Sequence, residues 1–330
     1  MDALPDELLL HILGFVADAP TLLDAVPLVC RRWHRLHREP AAWARVHIKY
    51  GGTSCSSLFR ELLHAPAAIV LDVTAPPRAH SMSPSFARRL SSALRRTSVA
   101  TLRSADLSGV ILSANDDTYA AVVGLLRRQG DHLRRLHVRV DLRAEPSPDA
   151  SLLGAVAAAR RLRHLRVVFG ALGQPQLRRA FVGGGLSAPG LEVLMLDDMG
   201  DEHALDAYSE AVALMIGGSG AALPSLRSLV LTKGLERRAA ADAVAGLGGL
   251  QELTVYLSAL SAWDGPGCDA FLRQLDGTLA ACRRLGSLLR LLVVADSLDS
   301  GRRRLQPATR EALRTFQEFR PDVAVEFRWE

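Results

Sequence analysis

Few residues of this chain combine a reactive type with a usable spacing. His34 and His37 stand three apart in "HRLH", which on a helix puts two imidazoles on one face at a spacing metal ions use. No cysteine or carboxylate nearby completes a ligand set, so both rings are expected to face solvent or a binding partner. The runs "GGGLSAPG" and "MIGGSGAALP" could cradle phosphate, but they lack the Gly-Lys-Ser/Thr ending of a phosphate loop and the GxGxxG spacing of a dinucleotide site. No GxSxG elbow frames a serine nucleophile. Cys30, Cys55, Cys268 and Cys282 form no CxxC pair and read as reduced, mostly buried thiols. The expectation is a chain with no catalytic residues, no metal site and no cofactor, and no enzyme activity of its own.

Binding chemistry is better represented. The formal charge is +5, and of the 40 basic residues only Lys49 and Lys233 are lysine. Such a bias toward arginine follows as readily from coding composition as from nucleic-acid binding, so nucleic acid is not the expected partner. The charge is unevenly placed, however. Residues 127–179 carry twelve arginines against four carboxylates, whereas residues 180–226 carry seven carboxylates and no Lys or Arg.

The elements that must position these residues begin at the N-terminus. Pro5 suits a first helical turn because its missing N–H would have no partner there, and Asp6 and Glu7 suit the positive end of the helix dipole. Leu8, Leu9, Ile12, Leu13, Phe15 and Val16 then surround more than half of that helix, which is more than one buried face needs. A second short helix runs through Thr21–Val26 with Thr21 as its expected N-cap. A third begins at Pro27, with Leu28, Val29, Trp33 and Leu36 on one face, and Trp43 follows. Three helices in roughly 45 residues make a marginal core alone, so part of the apolar surface is expected to be covered by another protein.

"LPDELLLHILGFV" followed by "LLDAVPLVCRRWHRL" and Trp43 resembles an F-box, the helical motif that docks onto a Skp-type adaptor of a cullin-RING ubiquitin ligase. The resemblance covers Leu4 to about Val46, within a module taken as residues 1–48. It implies that Leu4, Pro5, Glu7, Leu8, Ile12, Leu28, Val29 and Trp33 contact or shape the adaptor interface.

From residue 68 onward a hexamer recurs with apolar residues at its first, fourth and sixth places: "AIVLDV", "LRSADL", "LRRLHV", "LRHLRV", "LEVLML", "LRSLVL", "LQELTV", "LRLLVV" and, more weakly, "RPDVAV". Starts lie 24 to 39 residues apart, and helical patterns ending in Gly or Pro fill the intervals. One strand and one helix per unit, stacked in parallel, make an α/β solenoid that resembles leucine-rich repeats, a domain that commonly follows an F-box. "LRSADLSGVIL" comes closest to that repeat, with Asp-Leu-Ser-Gly expected in a turn. The expected organisation is therefore α/β: a three-helix F-box at 1–48, a linker and first helix at 49–67, and a repeat domain with a parallel sheet at 68–330. "SGRRRLQP" is expected to be an exposed loop before the last helix.

In this frame the third, fifth and seventh places turn away from the core, toward the concave face of the solenoid. Arg135, His137, Arg139, His164 and Arg166 then form a basic strip beside Met195 and Asp197, with Glu252 and Tyr256 further along. These are the candidate target-binding residues, and they favour an acidic protein segment. Taken together, the resemblance implies a substrate-recognition subunit. The alternatives are a scaffold that recruits no ubiquitination and a repeat protein that binds nucleic acid through its arginines. The acidic first residues do not suit a signal peptide and no apolar run approaches about 18 residues, so the expected location is cytoplasmic or nuclear, away from membranes.

Overall fold

A computed structural model describes residues 4–50, 55–74, 84–97, 101–113, 117–141, 152–170, 185–198, 205–218, 222–258, 265–296 and 299–329. The chain divides into two compact units, one of Met1–Arg139 with Ala150–Leu162 and one of Val140–Asp149 with Arg163–Glu330.

The first unit opens with helix α1 (Asp6–Leu13), a π-type turn (Thr21–Ala25), α2 (Val26–Val29), α3 (Arg31–Leu36) and a 3-10 turn (Pro40–Trp43). Strands β1 (His47–Lys49), β2 (Val70–Asp72), β3 (Ser104–Ser113) and β4 (Arg135–Asp141) then alternate with helices α4 (Cys55–His64), α5 (Pro84–Arg96) and α6 (Asp117–Gln129), and α7 (Leu152–Ala158) follows β4. β1, β2 and β3 pair in parallel, and β4 is next in order. Leu71, Ala105 and Leu136 occupy the fourth place of their hexamers and are all buried.

Three local expectations fail in this unit. Asp18, not Thr21, caps the π-type turn: its carboxylate accepts the Thr21 N–H at 2.8 Å and the Thr21 hydroxyl at 2.6 Å. Helix formation from Pro27 is interrupted at Cys30, which is fully extended and precedes α3, so Leu28 and Val29 belong to one helix and Trp33 and Leu36 to the next. Asp-Leu-Ser-Gly does not turn. Val73 donates its N–H to Asp106 and accepts from the N–H of Gly109, one residue further on than a regular parallel ladder allows. The extra residue makes a bulge, stabilised by the Ser108 N–H donating to the Asp106 carboxylate at 3.0 Å, and the strand continues with its inward phase shifted.

The second unit repeats the same layers: β5 (His164–Phe169), β6 (Val193–Asp198), α8 (Leu205–Gly217), β7 (Ser228–Leu231), α9 (Arg238–Ala245), β8 (Glu252–Ser258), α10 (Gly265–Arg284), β9 (Arg290–Asp296), α11 (Asp299–Phe319) and β10 (Ala324–Trp329). β5 to β10 pair in parallel in sequence order. Leu165, Leu194, Leu229, Leu253 and Leu291 stand side by side in register, each at most 2% exposed. A buried leucine contributes about 1.5–3 kcal/mol, so this ladder is a principal source of stability along the sheet.

Two further expectations are corrected here. In "SLLRLLVV" the inward residues are Leu288, Leu291, Val293 and Ala295, while Leu289 is 58% exposed, so the hexamer begins one residue earlier than read. "SGRRRLQP" is not a loop but lies within α11. There Leu305, Thr309, Leu313 and Phe316 form a buried stripe at helical spacing, and this periodicity outweighs the breaker signal of Pro307. Parts of the glycine runs at 183–190 and 216–224 fall outside the described residues.

Candidate functional site

The N-terminal module is built inside out around Trp43, which is fully buried and whose indole N–H donates to the His37 carbonyl. Leu9, Leu13, Leu22, Val26, Leu36, Val46 and Ile48 complete that core. Helix α1 commits only half its apolar surface to it. Leu4, Leu8 and Ile12, spaced four apart, are 37%, 49% and 47% exposed. On the neighbouring short helix Leu28 is 84% and Val29 53% exposed. Pro5 and Glu7 are also exposed, and Trp33 is half-buried.

Asp6 fixes the geometry of this face. Its carboxylate accepts from Arg32 at 2.6 Å and from Arg35, while Arg32 also donates to the Leu4 carbonyl. Asp6 therefore braces α1 against α3 as well as complementing the helix dipole. Pro5 stands one residue ahead of α1, and its carbonyl accepts the Leu9 N–H. The adaptor-contacting set implied by the resemblance leaves out two further exposed residues of this module. Phe15 is 56% exposed with the Arg45 guanidinium 4.2 Å above its ring, and Cys30 is exposed rather than buried. The pattern of the first helix already counts Phe15 in its surplus apolar surface; nothing local distinguishes Cys30. Cys282 is buried, and burial pushes its thiol up to about 12.

His37 departs from expectation by being buried, and burial, above all, lowers its pKa. His34 stays exposed, its ring 5.2 Å from that of His37. No group of three or more possible metal ligands occurs among the described residues, and no helix among them is long and apolar enough to cross a membrane.

The candidate target-binding residues lie on the outward side of their strands. In the first unit, β4 carries Arg135, exposed, and His137 and Arg139, half-buried. His137 Nδ1 lies 2.9 Å from Asp106 on β3. Burial pushes the Asp106 carboxyl up, but hydrogen bonds from His137 and Ser108 outweigh it and hold the group below the usual carboxylate range. In the second unit, His164 and Arg166 on β5 are half-buried, and Arg166 donates to Asp197 on β6 at 2.6 Å. Glu252 is exposed and Tyr256 half-buried on β8. The basic strip is thus partly neutralised by carboxylates on adjacent strands. A further pair missed from sequence, Lys233 with Asp198 at 2.6 Å, is almost wholly buried and reads as a structural tie between β6 and the end of β7.

The N-terminal module thus gathers exposed apolar side chains on one surface ahead of the β-α repeats. Residues 1–49 match a family model described as F-box-like. F-box domains generally bind Skp1-type adaptors. A search of curated proteins gave no match for the chain.

Proposed function

We propose that this chain is a substrate-recognition subunit of an SCF-type cullin-RING ubiquitin ligase. The observation that carries the reading is the exposed stripe of Leu4, Leu8 and Ile12 beside Leu28 and Val29, in a module that matches an F-box-like family. Large apolar side chains gathered on one surface contribute little until a partner covers them. A Skp-type adaptor would supply that cover, and through it the cullin and the ubiquitin-conjugating enzyme. The strand faces of the repeats would hold the target, with Arg135, Arg139, His164, Glu252 and Tyr256 among the contacting residues.

In this role the chain performs no bond chemistry and works in the cytoplasm or nucleus. Tethering raises the effective concentration of target lysines near the charged conjugating enzyme, and that proximity is the catalytic contribution. Arg166 is already committed to Asp197, which reduces the charge available to a polyanion and favours a protein target over nucleic acid.

Target turnover tests this reading. Proteins captured by the wild-type chain in cells should disappear more slowly when the chain carries Leu8→Asp with Ile12→Asp, because capture continues without delivery to the ligase. Equal turnover with both forms would leave a scaffold and refute the ligase role.

A further inference from the structure

The outward side of the sheet in the second unit is not uniformly polar. Register aligns Met195 on β6, Val230 on β7, Thr254 on β8 and Leu292 on β9 in one row across four strands. Strand side chains alternate, so each of these turns away from the ladder of buried leucines, and each stays half-buried. Val193 and Tyr256, also half-buried, widen the row on either side. Apolar side chains left partly exposed together on one face gain stability once a partner covers them.

The charges around the row narrow what can cover it. At its β5 end Arg166 is bound by Asp197. Glu252 is exposed on β8, two residues before Thr254, and no basic group pairs with it among the described residues. Its neighbour in register, Arg290, is turned to Glu326 instead. A complementary surface is therefore apolar along its centre and basic at one margin. That differs from the acidic segment favoured by the basic strip.

Spacing selects the conformation of the partner. Neighbouring strands lie about 4.8 Å apart, which sets the step along the row. One face of an α-helix repeats every turn, about 5.4 Å, whereas one face of an extended segment repeats every second residue, about 6.7 Å. Over the three steps from Met195 to Leu292 a helix drifts from the row by about 2 Å and an extended segment by about 6 Å. The first is within the reach of flexible side chains; the second is more than a whole strand spacing. Resting on the reading that the strand faces hold the target, we infer that the second unit takes an amphipathic helix of the target, laid across β6 to β9. Its apolar residues at i, i+4, i+7 and i+11 meet the row, and a Lys or Arg beside them meets Glu252.

Selection from two peptide display libraries on the immobilised full chain tests this, one randomised on a single face of a stable helix and the other fully random and unconstrained. The helical library should yield binders with apolar residues at that spacing and a basic residue at their margin. Met195→Glu and Leu292→Glu, each shown by thermal melting to be folded, should weaken those binders by about tenfold or more. Arg135→Glu in the first unit should leave them unchanged. Repeated on Glu252→Lys, the selection should exchange the basic residue for an acidic one. The inference is overturned by no enrichment, by enrichment only of sequences lacking that spacing, by binders that hold equally to both single variants, or by an unchanged margin on Glu252→Lys. Binding of the same wild-type chain to a Skp-type adaptor separates this failure from that of the ligase reading. An adaptor complex without a selected helix removes the helix site alone, whereas a selected helix without an adaptor complex keeps that site and removes the ligase role.

Discussion

Leu8 and Leu9 are adjacent in sequence yet 49% and 1% exposed. Helical geometry separates them by about 100°, so one joins the core around Trp43 and the other joins Leu4 and Ile12 outside. The excess of leucines was legible from the sequence; which of them faces out depends on α2 and α3, whose break at Cys30 has no local signature. Nor does the sequence distinguish His37 from His34, because burial of His37 is set by packing around it. His37 supplies a pH prediction. Its folded pKa lies below the ordinary value of about 6.5, so the unfolded chain takes up its proton first as pH falls. The stability from keeping the ring neutral is fully present above that value and is lost as pH drops toward the folded pKa. Urea midpoints of the wild type should fall between pH 7.5 and 5.5 more steeply than those of His37→Gln; parallel curves would show that His37 is not a buried neutral ring.

At the scale of elements, each hexamer commits its fourth-place residue to the core, and the ladder from Leu165 to Leu291 shows how strictly register follows. Period-two alternation makes most strands legible in the sequence. It failed in "SLLRLLVV" because an unbroken apolar run carries no phase, and at Asp106–Gly109 because turn-forming residues also build bulges. One tie between repeats was invisible in sequence. Arg320 occupies the first place of the last hexamer, where leucine is usual, and it is nearly buried. Its guanidinium donates to the carbonyls of Cys282, Leu285 and Leu288 at 3.2, 2.7 and 3.3 Å, satisfying acceptors left at the end of α10 and in the loop beyond. Asp322 holds it there at 2.7 Å. Arg320→Ala should destabilise the protein by about 1–3 kcal/mol, read as a lowered denaturant midpoint; an unchanged midpoint would mean that water replaces the guanidinium at no cost.

For the whole molecule, the sequence gives a net charge of +5 and two oppositely charged blocks, but not how far those charges are used up internally. Arg163 with Glu192, Arg166 with Asp197 and Lys233 with Asp198 are pairings between neighbouring repeats that only the register defines. Among the described residues, an apolar face on the N-terminal module and mixed polar strand faces in the repeats stay exposed. The central claim is that the first of these faces holds a Skp-type adaptor, and the most direct measurement is binding of the purified full chain to such an adaptor by calorimetry. The account predicts a saturable one-to-one complex. Leu8→Asp with Ile12→Asp should weaken it by at least ~2 kcal/mol without lowering the melting temperature, while Glu252→Ala on a strand face leaves it unchanged. A folded wild-type chain that does not bind, or a double variant that binds as tightly as wild type, would contradict it.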